Sequence, residues 1–331
     1  MTHPRFQLTA VGNAIVDVIA HATDEFLASE NIIKGAMNLI DQPRAKHLYS
    51  KMGPAREVSG GSAANTMAGF TSFGGNGAFF GKVAKDQLGE IFIHDMTALG
   101  LHLECNPLEN GPETARSFIF VTPDAQRSMN TFLGASVEFS EDDIKDSIIA
   151  ASAMVYLEGY LFDKPQAKAA YRKASKVAHA AGRKVSLTLS DVFCVKRHHA
   201  EFLELVKNDT DILFANDDEI KELFNTTDLD AAIAAVRGQC EIVAVTCGHK
   251  GSIIVTADKT IQIAPAPVDK VVDTTGAGDQ YAAGFLYGLS QSMTLEKCGA
   301  LGSLAASEVI GHIGPRPEAN LSDLAKLAIA A

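Results

Sequence analysis

Long uninterrupted apolar runs are missing from this 331-residue sequence. No segment approaches the roughly 18 consecutive apolar residues that a bilayer-crossing helix needs, so no membrane partner is expected. Positive charge is scarce: 29 Lys and Arg stand against 40 Asp and Glu, a formal net charge of −11. Proteins that grip a phosphate backbone need a concentrated basic face, so a nucleic-acid partner is not expected either. An anionic ligand would be handled locally, by helix ends and a few cations. The cysteines, Cys105, Cys194, Cys240, Cys247 and Cys298, are odd in number and form no CxxC pair. That usage reads as reduced, buried or idle thiols in a cytoplasmic protein. There is no low-complexity tract and no fixed-period repeat. The apolar stretch LTAVGNAIVDVIA is interrupted by Asn13 and Asp17 and followed by no cleavage-site pattern, and is expected to be a first strand rather than a signal peptide.

What is present is an ordinary globular composition, 47% hydrophobic and 21% charged, at a length that suits one large α/β domain with an insert, or two domains. Short Val- and Ile-rich runs recur as FIFV (from Phe118), AMVYLE (Ala153), KVSLTL (Lys184), DILFAN (Asp211), EIVAVT (Glu241) and GSIIVT (Gly251). Helical patterns such as KPQAKAAYRKASKVAHAAG, from Lys164, lie between many of them. Strand–helix alternation implies βαβ units and a mainly parallel sheet covered on both faces. The strands flanking ADK, around Thr256–Thr260, predict an appended hairpin. Two stretches fit the alternation poorly. Residues 15–49 and 109–133 are therefore expected to leave the main sheet as a small β-rich cover, with TPDAQ as the turn between two strands. Residues 1–14, 50–108 and 134–331 make the expected core.

The stretch VVDTTGAGDQYAAGFLYGL, from Val271, places two glycines and an acid at the start of a helix-like run. Gly276, Ala277 and Gly278 supply free N–H groups at a helix N-terminus, where the macrodipole favours an anion. Asp279 on the first turn can be a simple capping acid. The second glycine and the preceding oxygen-bearing DTT favour chemistry instead. A carboxylate beside an anion site suits a hydroxyl attacking a phosphate: the acid takes the proton while the amides neutralise growing charge. Asn216 and Glu219, three apart in NDDE after a strand, share one helix face, with capping as the plain reading of Asn216.

DTTGAGDQYAAGF resembles the C-terminal signature of the ribokinase-like (PfkB) carbohydrate and nucleoside kinases. GGSAANTMAGFTSFGGNGAFFGKVAKDQLGEIF, from Gly60, resembles their N-terminal one. The order GNAIVD, GGSAAN, FANDDE, VTCGHKG, DTTGAGD follows the family over nearly the whole chain. The Asn13-to-Asp17 spacing, AMNLID and DAQRSMN are most similar to adenosine kinases. The resemblance implies a three-layer ribokinase-like α/β core with a mainly parallel central sheet and a β-rich lid. It implies ATP and Mg²⁺, with K⁺ as a further candidate, and a monomer or homodimer.

The resemblance makes Asp279 the general base and Gly276, Ala277 and Gly278 the anion hole. Asp17 takes two ribose hydroxyls, Asn13 sits beside it, and Gly60, Gly61, Ser62 and Asn65 lie close to the acceptor. Glu219 faces Mg²⁺ through water, and Asn216, Thr246, Gly248 and Gly251 lie along the nucleotide. Arg127 reaches the transferred phosphate, or is a solvated turn arginine. Asp273 and Thr275 match positions that ligate a monovalent cation in some members. Where adenosine kinases often carry a histidine near the ATP adenine, this chain offers Ser303. Asn38, Ile40 and Phe118 are candidates for gripping the acceptor's base, each also readable as packing. The expected reaction is ATP-dependent phosphorylation of the 5′-hydroxyl of a nucleoside, adenosine first. A sugar kinase of the same family is the alternative, then a catalytically silent nucleotide sensor.

Two motifs are set aside. GGNGAFFGK is no Walker A loop, because Asn76 stands at the first glycine and Val83 follows Lys82 where Ser or Thr is required. A strand-like segment, AFFGKVA, passes through its Gly75, Gly77 and Gly81 spacing, whereas a dinucleotide fingerprint demands a turn opening a helix. His198 and His199 have no partner at a metal spacing.

Overall fold

The computed structural model describes residues 4–124 and 126–330. Its strands, in chain order, are β1 (Phe6–Val11), β2 (Ile15–His21), β3 (Met37–Leu39), β4 (Arg56–Gly60), β5 (Gly77–Phe80), β6 (His102–Glu104) and β7 (Ala115–Val121). They continue with β8 (Arg127–Phe132), β9 (Ser152–Glu158), β10 (Lys184–Thr188), β11 (Ile212–Asn216), β12 (Ile242–Thr246), β13 (Ser252–Val255) and β14 (Thr260–Ile263). Nine form a sheet in the order β14-β13-β12-β11-β10-β9-β1-β5-β6. Six neighbouring pairs run parallel, and the β12–β13–β14 edge is antiparallel. Because crossover helices cover both faces, these strands read as near-continuous apolar runs. One face packs Tyr171, Phe162 and Phe202, and the other packs Phe70, Phe79, Phe92 and Phe285. The ADK segment is the turn of the β13–β14 hairpin, with Val255 opposite Thr260.

The second sheet has the order β3-β8-β7-β2-β4. Val121 and Arg127 pair at the end of the antiparallel β7–β8 ladder, and Ala125 of the intervening TPDAQ turn lies outside the described residues. Period-two alternation splits the sheet. Phe118, Phe120 and Val18 pack beneath the helices Asp24–Ser29 and Gln42–Lys51, while Asp17, Ser117, Ile119, Met129 and Thr131 face a cleft.

Two particulars differ from expectation. LTAVGNAIVDVIA is two strands in different sheets: β1 ends at Val11, and the chain crosses to the second sheet within three residues. The second sheet also recruits β4, residues 56–60, which pairs antiparallel with β2 and lies in the stretch assigned to the core. Its register sets Gly60 opposite Ile15 and Val58 opposite Asp17, so GGSAAN and NAIVD meet at one corner. No helix among the described residues is long and apolar enough to cross a membrane.

Candidate active site

The carboxyl ends of β9, β10, β11 and β12 converge with the turn after β1 on a cleft of about 910 Å³, where ligands of open parallel sheets bind. Glu158, Thr188, Asn216 and Thr246 come from those strand ends, and Asn13 from the turn. The second sheet closes the opposite wall with Ile15, Asp17, Met37, Asn38, Leu39, Ile119 and Met129.

Asp279 lies on the first turn of the helix Ala277–Ser290. The N-cap, Gly276, is left-handed at φ 79°, and a Cβ there would fall 2.6 Å from Pro315 Cα, so only glycine makes this turn. Ala277 N–H is turned to Thr274 O at 3.2 Å. It is partly withdrawn from the expected anion hole, whereas no protein acceptor among the described residues takes the N–H of Gly278 or Asp279. Gly278 is open: nothing lies within 4 Å of an added Cβ. Asp279 Oδ1 accepts from Ser62 Oγ at 2.6 Å and Oδ2 from Asn65 Nδ2 at 3.3 Å. Burial pushes its carboxyl up to about 6, against those two hydrogen bonds, and the charge of Asp17 adds to the rise. That suits a base working near neutral pH.

Asp17 is buried, and its carboxyl is likewise pushed up to about 6 by burial, restrained by the charges of Arg316 and Arg127. Gly60 leaves room for it, since a Cβ there would stand 2.5 Å from Asp17 Oδ2. Gly61, Ser62 and Asn65 line the cleft at the start of the helix Ser62–Ser72. That helix has no side-chain cap of its own. Ala63 N–H donates instead to Glu158 Oε2 at 2.8 Å. Glu158 Oε1 accepts from Asn13 Nδ2 at 2.6 Å. Burial pushes Glu158 up to about 7, opposed by bonds from Ala63 and Asn13.

Asn216 and Glu219 form a reciprocal capping box: Asn216 Oδ1 accepts from Glu219 N–H at 2.8 Å, and Glu219 Oε2 from Asn216 N–H at 2.9 Å. Both also line the cleft. Burial pushes Glu219 up to about 7; the Asn216 bond opposes this, and the charges of Asp191, Asp218 and Asp217 add to it. A buried carboxylate in excess negative field fits a divalent cation held through water, which would relieve that field.

Several expected residues are placed otherwise. Arg127 is neither solvated nor among the cleft-lining residues. It forms an ion pair with Asp273, both side chains only 7% exposed. Asp273 is then saturated: Oδ1 accepts from Thr275 N–H (3.0 Å) and Oγ1 (2.7 Å), Oδ2 from Gly314 N–H (3.0 Å) and Arg127. A guanidinium thus stands where a monovalent cation was expected. Ser303 is buried within the helix Leu295–Val309 and is not among the cleft-lining residues. Gly251 is a packing turn: at φ +87° its Cβ would lie 2.0 Å from Ile263 O. Thr246 and Gly248 line the cleft. Phe118 and Ile40 belong to the core of the second sheet, while Asn38 reaches the cleft.

Glu158, Tyr160 and Arg316 carried no motif. Glu158 ends an apolar strand, where a charge is an anomaly the sequence does show. Tyr160 follows it into the cleft wall. Arg316, between Pro315 and Pro317, donates to Asn65 Oδ1 at 3.2 Å and Ser59 Oγ at 2.7 Å.

Residues 36–320 match the model of the pfkB family of carbohydrate kinases. A solved structure described as adenosine kinase from Sinorhizobium meliloti is 52% identical, with a TM-score of 0.91 over 98% of this chain and 99% of that one. Another, described as a probable sugar kinase protein from Rhizobium etli CFN 42, is 49% identical, with a TM-score of 0.93 over 99% of this chain and all 100% of that one. The adenosine kinase of Saccharomyces cerevisiae is 26% identical over 338 residues, covering 95% of this chain and 97% of the yeast protein. With both signatures at one cleft and these similarities across the chain, the protein belongs to the pfkB family of carbohydrate kinases.

Proposed function

We propose that this kinase transfers the γ-phosphoryl group of ATP to the 5′-hydroxyl of adenosine. The observation carrying the reading is the apolar wall beside Asp17. Ile15, Met37, Leu39, Ile119, Met129 and Leu133 line the cleft from the second sheet side, and Met37 and Leu39 are 42% and 50% exposed. A bare sugar is polar all round and gains little from such a wall; a purine base buries its faces there. The adenosine kinase named for the 52%-identical structure supports the same choice.

In this reading Asp17 accepts the two ribose hydroxyls, a pairing one carboxylate satisfies with two oxygens. Asn13, its amide oriented by Glu158, sits beside it. The 5′-hydroxyl then points at Asp279, which takes its proton as the oxygen attacks the γ-phosphorus. The free N–H groups of Gly278 and Asp279, at the positive end of the Ala277–Ser290 helix, balance charge on the migrating phosphoryl group. Arg127 keeps Nε and Nη2 without acceptors, donors that would serve the phosphate when the second sheet closes. Thr246, Gly248 and Asn216 are the proposed nucleotide contacts. Glu219, with Asn216, would hold Mg²⁺ through water, and the bound ion supplies charge neutralisation at the phosphates. Closure of the second sheet over the cleft would exclude water and suppress idle hydrolysis.

The test is ADP release by purified protein with MgATP and adenosine, guanosine, cytidine, ribose or fructose. Turnover with adenosine well above all others is expected. Turnover with ribose or fructose alone makes the protein a sugar kinase. Adenosine binding without ADP release under any condition makes it a sensor.

A further inference from the structure

Arg316 is a cation without an adjacent counter-ion. Among the described residues no carboxylate forms an ion pair with it. Its Nε donates to Asn65 Oδ1 and Nη1 to Ser59 Oγ, and Nη2 finds only Met96 Sδ, at 3.5 Å. Burial pushes its pKa down to about 10, opposed at longer range by Asp17 and Asp95. A charge buried without a partner is costly, and a purely structural role would be served better by an apolar or neutral side chain. Its backbone is fixed from both sides: prolines flank it, and Pro315 O accepts Gln280 Nε2 at 2.9 Å from the Ala277–Ser290 helix.

We infer that Arg316 is a positioning residue for phosphoryl transfer, fixing the Asn65 amide against Asp279 with one face of its fork while its charge keeps Asp17 ionised for the acceptor diol. The first half follows from amide chemistry. Asn65 Oδ1 accepts from Arg316, so Nδ2 must face Asp279. A flipped amide would set donor against donor and oxygen against carboxylate. The second half follows from placement: Arg316 Nη1 is held on Ser59 Oγ at 2.7 Å, and the next residue, Gly60, packs directly on the Asp17 carboxyl. Arg316 and Arg127 act to hold its carboxyl down, in that order, against burial. The other charges nearby are negative or turned away: Asp279 shares the cleft, Asp95 accepts from Ser59 N–H at 3.1 Å, and His94 is exposed beside Asp95. On β4, Glu57 is directed to the Tyr49 hydroxyl at 3.4 Å. Glu158 lies under Asn13.

The inference rests on the proposed roles of Asp17 and Asp279, and its test separates the two. Arg316→Met and Arg316→Lys are compared with the unmutated protein by ¹³C titration of the aspartate carboxyls, with Asp17→Asn assigning the signal, and by adenosine kinetics from pH 6 to 9. In Arg316→Met the Asp17 titration should move up by about one pH unit. KM for adenosine should rise about threefold at pH 6.5, the deficit shrinking by pH 9. Arg316→Lys should keep the titration and KM near normal yet lose about tenfold in kcat, because a single ammonium cannot hold Asn65 and Ser59 together. An unchanged Asp17 titration in Arg316→Met overturns the electrostatic half. Equal losses of kcat and KM in both variants, without pH dependence, reduce Arg316 to packing. If the unmutated protein ignores adenosine, that failure belongs to the substrate assignment, and the Asp17 titration still decides the role of Arg316.

Discussion

Gly60 and Asp17 lie so close that a methyl group at position 60 would stand 2.5 Å from one carboxylate oxygen and 2.7 Å from the other. The backbone of Gly60 is not left-handed, so alanine is conformationally acceptable there, and the nearest clash is with the Asp17 carboxyl. Gly60→Ala should fold, displace the Asp17 side chain, and raise KM for the nucleoside at least about tenfold, in line with an overpacking cost of about 1–3 kcal/mol. Steady-state kinetics beside a thermal melt decide it: an unaltered KM in a folded variant would remove Asp17 from acceptor binding.

Asp279 trades stability for function. Its folded-state pKa, about 6, lies above the ordinary 3.8, so the folded protein holds this proton more tightly than the unfolded chain. Its contribution to stability is therefore fully present below about pH 4 and lost as pH rises through about 6. Asp279→Asn carries no such loss. The variant should lose at least about 10²-fold in kcat with ATP binding intact. Relative to the unmutated protein, its Tm should improve by about 1–3 °C between pH 5 and pH 8. Scanning calorimetry at the two pH values gives the sign; a relative Tm that falls toward pH 8 contradicts the assignment.

The pH–rate profile follows from the same groups. Burial pushes both Asp17 and Asp279 up to about 6, and the charge of Asp17 adds to the rise of Asp279, so the two protons are expected to leave over the same pH range. At saturating MgATP, kcat/KM for adenosine should fall on the acid side of about pH 6, with a limb steeper than one proton. A single-proton limb centred at about pH 6 would mean that only one of the two carboxylates must be ionised.

Much of this site was legible because its chemistry is local in sequence. The Gly276–Asp279 turn, the GGSAAN helix start and the Asn216–Glu219 box each sit within four to six residues, where spacing dictates geometry. The apolar runs likewise announced the parallel sheet, since strands buried on both faces need apolar side chains throughout. The remainder depends on long-range contacts. Nothing near Arg316 indicates that it meets Asn65, 251 positions away in sequence, and Glu158 caps a helix 95 positions earlier. The break within LTAVGNAIVDVIA was hidden because both halves are strand-like, and only the register of β4 on β2 shows why the chain changes sheets at Gly12–Ala14. Ser303 and Gly251 are not among the cleft-lining residues, and residue type and neighbourhood alone cannot say which face of a helix or turn looks at a cleft.

Arg127 and Asp273 tie the second sheet to the loop that leads into Gly276, and both side chains are almost entirely buried. Asp273 lies below the usual carboxylate range: burial opposes this, but bonds from Gly314 and Thr275 and the Arg127 charge outweigh it. Removing one member of a buried pair strands the other, at about 3–5 kcal/mol, whereas removing both costs far less. Arg127→Met and Asp273→Asn should each lower stability, and the double variant should be less destabilised than their sum by about 1–3 kcal/mol. The same cycle run on kcat tests the mechanical link. If the pair aligns the anion-binding turn with the closing sheet, the second substitution adds little to the loss caused by the first. Additive effects in urea unfolding and in kcat would show instead that the two side chains act separately, with the second sheet moving independently of the Gly276 turn.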